Sequence, residues 1–295
     1  MPFCATESNG CVIVELDDDF SLEDTLTSGQ TFRWVKFRDG FIGIVCDKVC
    51  YITQNENTLT FHECSLDEYN DFWVPYFSFD EDYKVIRAHL SYDENVVKAM
   101  SKYSGIRIMR QPLWETVISF IISANNNIPR IMGIIDKLCK RFGEKIDSSY
   151  GEYYSFPTPE ALADADIADI RACGAGYRDE YIKRTAAAFA NGDFCGDALN
   201  TLSRLDARKE LMRLHGVGAK VADCILLFSV GKQDAFPIDT WVRKVMCSLY
   251  MNESDSKSVP VKKIEELAAA QFPKYAGYAQ QVLFHYVRNT TEDAE

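Results

Sequence analysis

A chain of 295 residues with 47% hydrophobic and 13% aromatic content is long and apolar enough to bury one large core or two smaller ones. Its formal net charge of −12 argues at first against a polyanionic partner, since phosphate binding normally leaves a basic footprint. The charge is not evenly spread, however: residues 1–93 carry 6 Lys and Arg against 18 Asp and Glu, leaving 26 of each in residues 94–295 out of totals of 32 and 44. The acidity therefore belongs to one end, where it reads as a solvated face. No run of 18 apolar residues predicts a membrane span, and the opening "MPFCATESNG" lacks the basic-then-apolar pattern of a secretion signal, so an intracellular protein is expected. The ten cysteines are scattered singly, several inside apolar stretches such as "DCILLF", where a thiol serves as a small hydrophobe rather than half of a disulfide.

From Cys11 to Cys64 the chain reads as short alternating strands: "CVIVEL", "TFRWVKF", the turn "RDG", "FIGIVC", "VCYIT", the turn "NEN" and "TLTFHEC". A twisted antiparallel sheet follows from that pattern. After about Asp93 the apolar spacing becomes helical, with Leu113, Val117, Phe120 and Ile121, then Ile131, Ile134, Ile135, Leu138 and Phe142. The expected architecture is α+β: an N-terminal antiparallel sheet domain, residues 1–93, and an all-helical body, residues 94–295. At the first helix boundary of interest, "ISFIISANNNIPRI", an apolar run ends in three amides. Asn126 and Asn127 suit helix-end caps or backbone bonds, and Pro129 suits the first turn of the next helix.

The stretch "KELMRLHGVGAKVADCILLFSV" reads as two helices joined by a hairpin containing Gly216, Val217 and Gly218. Such a hairpin can be a plain tight turn. It can also point successive backbone amides outward at the start of the second helix, making a phosphate cradle that needs no basic side chain, with or without a bound monovalent cation. Lys220 falls in the first turn of that helix, where the dipole disfavours a cation by about 0.3–1 kcal/mol. It is either a surface lysine or a poised nucleophile. Nineteen residues on, in "AFPIDTWVRKV", Asp239 stands where another helix begins, a place that also suits a simple N-cap.

Hairpin lysine and aspartate together resemble the helix-hairpin-helix DNA glycosylases, in "LHGVGAKVADCILL" followed by "FPIDTWV". The resemblance implies an enzyme that flips a damaged nucleotide out of duplex DNA. In its bifunctional members the lysine attacks the anomeric carbon of the sugar, leaving a Schiff base from which β-elimination nicks the strand. Lys220 would be that nucleophile, and Asp239 would stabilise the developing positive sugar. Some members hold an iron-sulfur cluster on four closely spaced C-terminal cysteines; here only Cys224 and Cys247 follow the hairpin, so no cluster and no other metal centre is expected.

From "SGQTFRW" onward, nearly the full chain is similar to 8-oxoguanine DNA glycosylases, through "SANNNIPRI", "GAGYRDEY", "GAKVADCILL" and "AGYAQQVLF". The resemblance implies a flipped base lying between Cys224 and Phe284, with Phe228 also lining the pocket, Gln280 bonding the Watson-Crick edge and the Gly29 carbonyl facing the lesion. The bland reading of Gly29 is a turn entering a strand. On the other face of the duplex Asn125 would fill the hole left by the base, Tyr177 would act as wedge, and Arg130 and Arg178 would read the opposite cytosine. Gly216, Val217, Gly218 and position 241 would contact phosphate. Two departures stand out: Trp241 replaces the histidine usual in eukaryotic members, and Phe228 replaces a more flexible pocket residue. The expected partner is duplex DNA containing oxidised guanine, bound by a monomer in the cytoplasm and nucleoid of a bacterium or the nucleus of a eukaryote. A glycosylase for another damaged base, or a non-catalytic DNA-binding module, are the alternatives.

Overall fold

The computed structural model describes residues 3–292. Six strands make one antiparallel sheet: β1 (Phe3–Ser8), β2 (Cys11–Leu16), β3 (Trp34–Phe37), β4 (Gly40–Val45), β5 (Lys48–Asn55) and β6 (Thr58–His62), in the order β1-β2-β6-β5-β4-β3. Four of the connections are two-residue hairpins, with Ser8 opposite Cys11, Phe37 opposite Gly40, Val45 opposite Lys48 and Asn55 opposite Thr58. The first residue of each turn has positive φ: Asn9 53°, Arg38 52°, Cys46 54° and Glu56 49°. This is the mirror-image turn geometry whose twist matches the flanking strands.

Period-two alternation sends Val12 and Val14 of β2, Leu59 and Phe61 of β6 and Cys50 and Ile52 of β5 to one face, where they are buried. That face is covered by short helical turns between Leu66 and Tyr76, which bring Tyr69, Trp73 and Tyr76 onto it. The Trp34 indole donates to the Tyr76 hydroxyl at 2.9 Å, so even the polar edges of this aromatic core are paired. The sheet-covering turns and the Tyr83–His89 helix lie before Asp93, so residues 1–93 are not strand alone.

The helical body contains the longer helices Glu94–Tyr103, Leu113–Ser123, Ile128–Phe142, Asp179–Ala190, Thr240–Tyr250, Val261–Gln271 and Ala276–Glu292, with the shorter Arg204–Leu211 and Ala219–Ile225 between them. It also carries a two-stranded hairpin, β7 (Lys145–Ser148) and β8 (Gly151–Tyr154), beyond what helical periodicity foretold. Several starts are capped as the sequence chemistry dictates: Asp93, Asn127, Ser203 and Asp239 each accept a backbone N–H two or three residues into the helix they precede. The apolar faces of these helices merge into a second core that includes Ile118, Ile121, Ile134, Leu138, Ile225 and Val282. Among the described residues no helix is long and apolar enough to cross a membrane.

One segment ties the two cores together. Between the Leu22–Thr27 helix and β3 the chain leaves the sheet as Ser28–Arg33, and Phe32 joins the helical core. Gln30, fully buried, holds this segment: its amide nitrogen donates to the carbonyls of Thr25 and Arg107 and to the Ser28 hydroxyl, and its oxygen accepts from the Met109 N–H at 2.9 Å. The next residue back, Gly29, is thereby placed on the wall of the helical body.

Candidate active site

The hairpin between Leu211 and Ala219 has a specific stereochemical need. Gly216 sits at φ +83°, and a Cβ there would come within 2.7 Å of the Tyr181 side chain, so both conformation and space demand glycine. Gly218 then serves as N-cap of the Ala219–Ile225 helix, whose first-turn N–H groups have no intrahelical acceptor. Gly216, Gly218 and Ala219 line a cleft of about 720 Å³. Val217 does not fit the phosphate role expected of it: it is buried, and its N–H donates to the Leu214 carbonyl at 3.2 Å, which closes the turn from inside.

Lys220, one residue into this helix, and Asp239, across the cleft, line the same space. Asp239 does cap its helix, with Oδ1 accepting from the Val242 N–H at 2.7 Å. A carboxylate accepts at both oxygens, so the cap does not exhaust it. The Lys220 ammonium lies 5.4 Å from the centroid of the Phe120 ring, and Phe120 in turn stacks on Phe228 at 5.6 Å and 19°. Phe120 was foreseen only as a helix-core residue; its part in the site could not be read from spacing, because the stacking partner is 108 positions away in sequence.

Behind Lys220 the cleft narrows to a cavity of about 50 Å³ walled by Gly29, Cys224, Phe228, Gln280 and Phe284, with Asp239 also on its lining. All the residues named for a base pocket thus converge, although they come from the sheet connection, the hairpin helix and the last helix. The cavity lies below the roughly 300 Å³ at the small end of ligand pockets, and the half-buried Phe284 lines both it and the larger cleft. Burial pushes the Cys224 thiol up to about 11, against the opposing pull of the nearby Lys220 charge, so it stays protonated at neutral pH. Gln280 is 4% exposed, and its Oε1 is buried without a hydrogen-bond partner. An unpaired buried acceptor costs about 1–3 kcal/mol, and Gln280 is one of the residues on the pocket lining.

The residues expected on the far side of the duplex gather at the cleft rim. Asn125 is exposed with φ +50°, a left-handed conformation that asparagine tolerates better than most residues. Its neighbours carry backbone duties: Asn126 donates to the Ile122 carbonyl at 3.1 Å and Asn127 accepts from the Arg130 N–H at 3.0 Å. Arg130 and Tyr177 are exposed. Arg178 differs from the expected reader of a base. It is 3% exposed, and its guanidinium donates to the carbonyls of Ala124, Asn125 and Ala175, bracing the Asn125 turn and lying 4.4 Å from the Tyr177 ring centroid. Trp241 lines the cleft beneath the Lys244 ammonium, 4.9 Å from its ring centroid. Among the described residues no group of three or more His, Cys, Asp or Glu gathers where it could hold a metal ion.

Comparisons with known proteins cover nearly the whole chain. The family model for the N-terminal domain of 8-oxoguanine DNA glycosylase matches residues 12–117, and the model for HhH-GPD superfamily base excision DNA repair proteins matches residues 118–271. A solved structure of MBOgg1 in complex with a low-affinity DNA ligand is similar with a TM-score of 0.94 and 37% identity, over 99% of this chain and 100% of that one. The Clostridium acetobutylicum 8-oxoguanine glycosylase/lyase, solved with double-stranded DNA containing cytosine opposite 8-oxoguanine, gives 0.94 and 36%, also over 99% and 100%. The N-glycosylase/DNA lyase of Saccharomyces cerevisiae is 36% identical over 220 residues, covering 63% of this chain and 58% of the length of the yeast protein.

Proposed function

The chain belongs to the 8-oxoguanine DNA glycosylase family of helix-hairpin-helix base excision repair proteins, and on that premise we propose that it flips 8-oxoguanine out of duplex DNA opposite cytosine, excises it, and nicks the strand as an AP lyase. Double-stranded DNA is its partner, bound by a single copy of the chain. Glycine amides at the hairpin would hold a phosphate, so the acidic composition is no obstacle, and a monovalent cation there would add to the same contact.

The chemistry follows from what shares the pocket. Lys220 Nζ forms a bond to the anomeric carbon while the glycosidic bond breaks and its electron pair leaves with the base, which takes up a proton. Ring opening of the sugar gives a Schiff base on Lys220. Loss of a C2′ proton then expels the 3′ phosphate, the β-elimination that cuts the strand. The Asp239 carboxylate faces the sugar as positive charge grows on it, an electrostatic contribution that a low-dielectric cleft strengthens. No step calls for an iron-sulfur cluster: Cys224 and Cys247, the two cysteines after the hairpin, are both buried as thiols among apolar residues.

The observation that carries the substrate assignment is the unpartnered Gln280 Oε1 in a pocket shared with Lys220 and Asp239. It supplies an acceptor for an N–H on the Watson-Crick edge of guanine. Oxidation changes N7 from acceptor to donor, and the Gly29 carbonyl is the acceptor we assign to that hydrogen. A base alkylated at N7 would bring a methyl group there, so specificity for alkylated purines fits the pocket less well. Borohydride reduction with an 8-oxoguanine:cytosine duplex should trap a covalent complex. Lys220→Gln should bind the duplex but give neither excision nor trapping, and normal trapping by that variant would remove Lys220 from its role.

A further inference from the structure

Two edges of one base are read here by groups far apart in the chain: Gln280 on the last helix and Gly29 on the sheet connection. Their relative position must hold to within a few tenths of an ångström, because a hydrogen bond weakens quickly once stretched or bent. A buried hydrogen bond between the two elements bears on that position. Gln281, adjacent to Gln280 and on the lining of the same pocket, donates from Nε2 to the Ser28 carbonyl at 2.8 Å, across 253 residues of sequence. Gln281 is 2% exposed and Ser28 fully buried, so water does not compete for this bond. On the other side of Gly29, the Gln30 side chain is fixed by its own bonds to Thr25, Ser28, Arg107 and Met109. Gly29 therefore hangs between two immobilised residues, at φ +80°, with no side chain of its own to hold it.

We infer that Gln281 is a positioning residue for lesion discrimination: its bond to the Ser28 carbonyl fixes where the Gly29 carbonyl lies relative to Gln280. Consecutive residues on one helix divide the work, one bonding the base and the other setting the distance to the second reader. A further contact between the same elements, the His285 ring nitrogen 3.2 Å from Asp24 Oδ1, docks the helix one turn on but lies outside the pocket lining. This inference rests on the assignment of the Gly29 carbonyl to the N7 hydrogen.

Gln281→Met keeps the volume and removes the donor. Measured at equilibrium in a Lys220→Gln background, the preference for 8-oxoguanine:cytosine over guanine:cytosine duplex should narrow about fivefold or more, as loss of a buried hydrogen bond implies. With Lys220 intact, single-turnover lyase cleavage at a preformed abasic site should stay within about twofold, since that reaction uses no base contact. Gln281→Glu separates position from packing: its carboxylate repels the Ser28 carbonyl at pH 8 but donates to it when protonated, so discrimination should recover as pH is lowered toward 5. If Gly29→Ala narrows the preference and Gln281→Met leaves it unchanged, the positioning role is overturned while the assignment of Gly29 stands. If Gly29→Ala also leaves it unchanged, the assignment itself falls. Equal loss of binding preference and abasic cleavage in Gln281→Met would mark a folding defect and likewise overturn the role.

Discussion

Replacing Gln280 with methionine should make the protein more stable and less active at once. The side chain is buried and its Oε1 has no partner, so the folded state carries the full desolvation cost of an acceptor, about 1–3 kcal/mol. Methionine has nearly the same volume, leaves no acceptor to desolvate and fills the same wall of the 50 Å³ cavity. At this chain length a gain of 1 kcal/mol raises the melting temperature by roughly 2 °C, so a rise of roughly 2–6 °C is expected. The same change removes the bond to the base, and single-turnover excision of 8-oxoguanine opposite cytosine should fall about five- to a hundredfold. Cleavage of a preformed abasic site should be nearly unaffected. Differential scanning fluorimetry and a gel-based excision assay measure the two sides. A lower melting temperature with unchanged excision would mean that Oε1 is bonded within the fold, and the reasoning would fail.

Other substitutions divide structural from chemical duties. Asp239→Asn keeps an N-cap of equal quality, so the melting temperature should move by no more than about 2 °C while excision slows by at least two orders of magnitude; a large stability loss with little kinetic change would leave Asp239 as a cap alone. Arg130→Ala removes an exposed side chain, so stability should hold while the rate preference for cytosine over adenine opposite the lesion relaxes about tenfold or more; an unchanged ratio would make Arg130 a surface charge. Only a thiolate alkylates readily, and burial pushes the Cys224 thiol up to about 11, so iodoacetamide at pH 8 should label the exposed Cys195 and spare Cys224. The folded chain holds that proton more tightly than a free thiol near 9.0, so this group withdraws stability as pH rises from about 9 toward 11, and unfolding monitored across that range should show it.

Local chemistry made much of the fold legible. The turn residues at Arg38–Gly40 and Asn55–Asn57 and the alternation of β2 and β6 announced the sheet, and the asparagine run announced a helix boundary that Asn126 and Asn127 do build. β1 went unread because "FCATES" alternates poorly and lies at the sheet edge, where only Phe3 is buried. The β7–β8 hairpin is four residues a strand with no buried residue, too short and too exposed to mark the sequence. At the site, the residues borne on family motifs converge on one pocket and its cleft, whereas Phe120, Gln281 and the buried bracing by Arg178 depend on partners tens to hundreds of positions away. Spacing along a single helix carries no record of such pairs.

The distance in sequence between Ser28 and Gln281 also bears on how the molecule is made. Synthesis runs from the amino end, and domains tend to fold as they emerge. The six-stranded sheet can close its own aromatic core early, but Ser28 and Gly29 line a pocket whose opposite wall includes Gln280, Gln281 and Phe284 of the helix Ala276–Glu292. Until that helix is translated, the Ser28 carbonyl lacks its Gln281 partner. A product released before the last helix would carry Lys220 and Asp239 with only part of the pocket wall. Placing Gly29 and Gln280 at opposite ends of translation ties closure of their shared pocket to completion of the polypeptide.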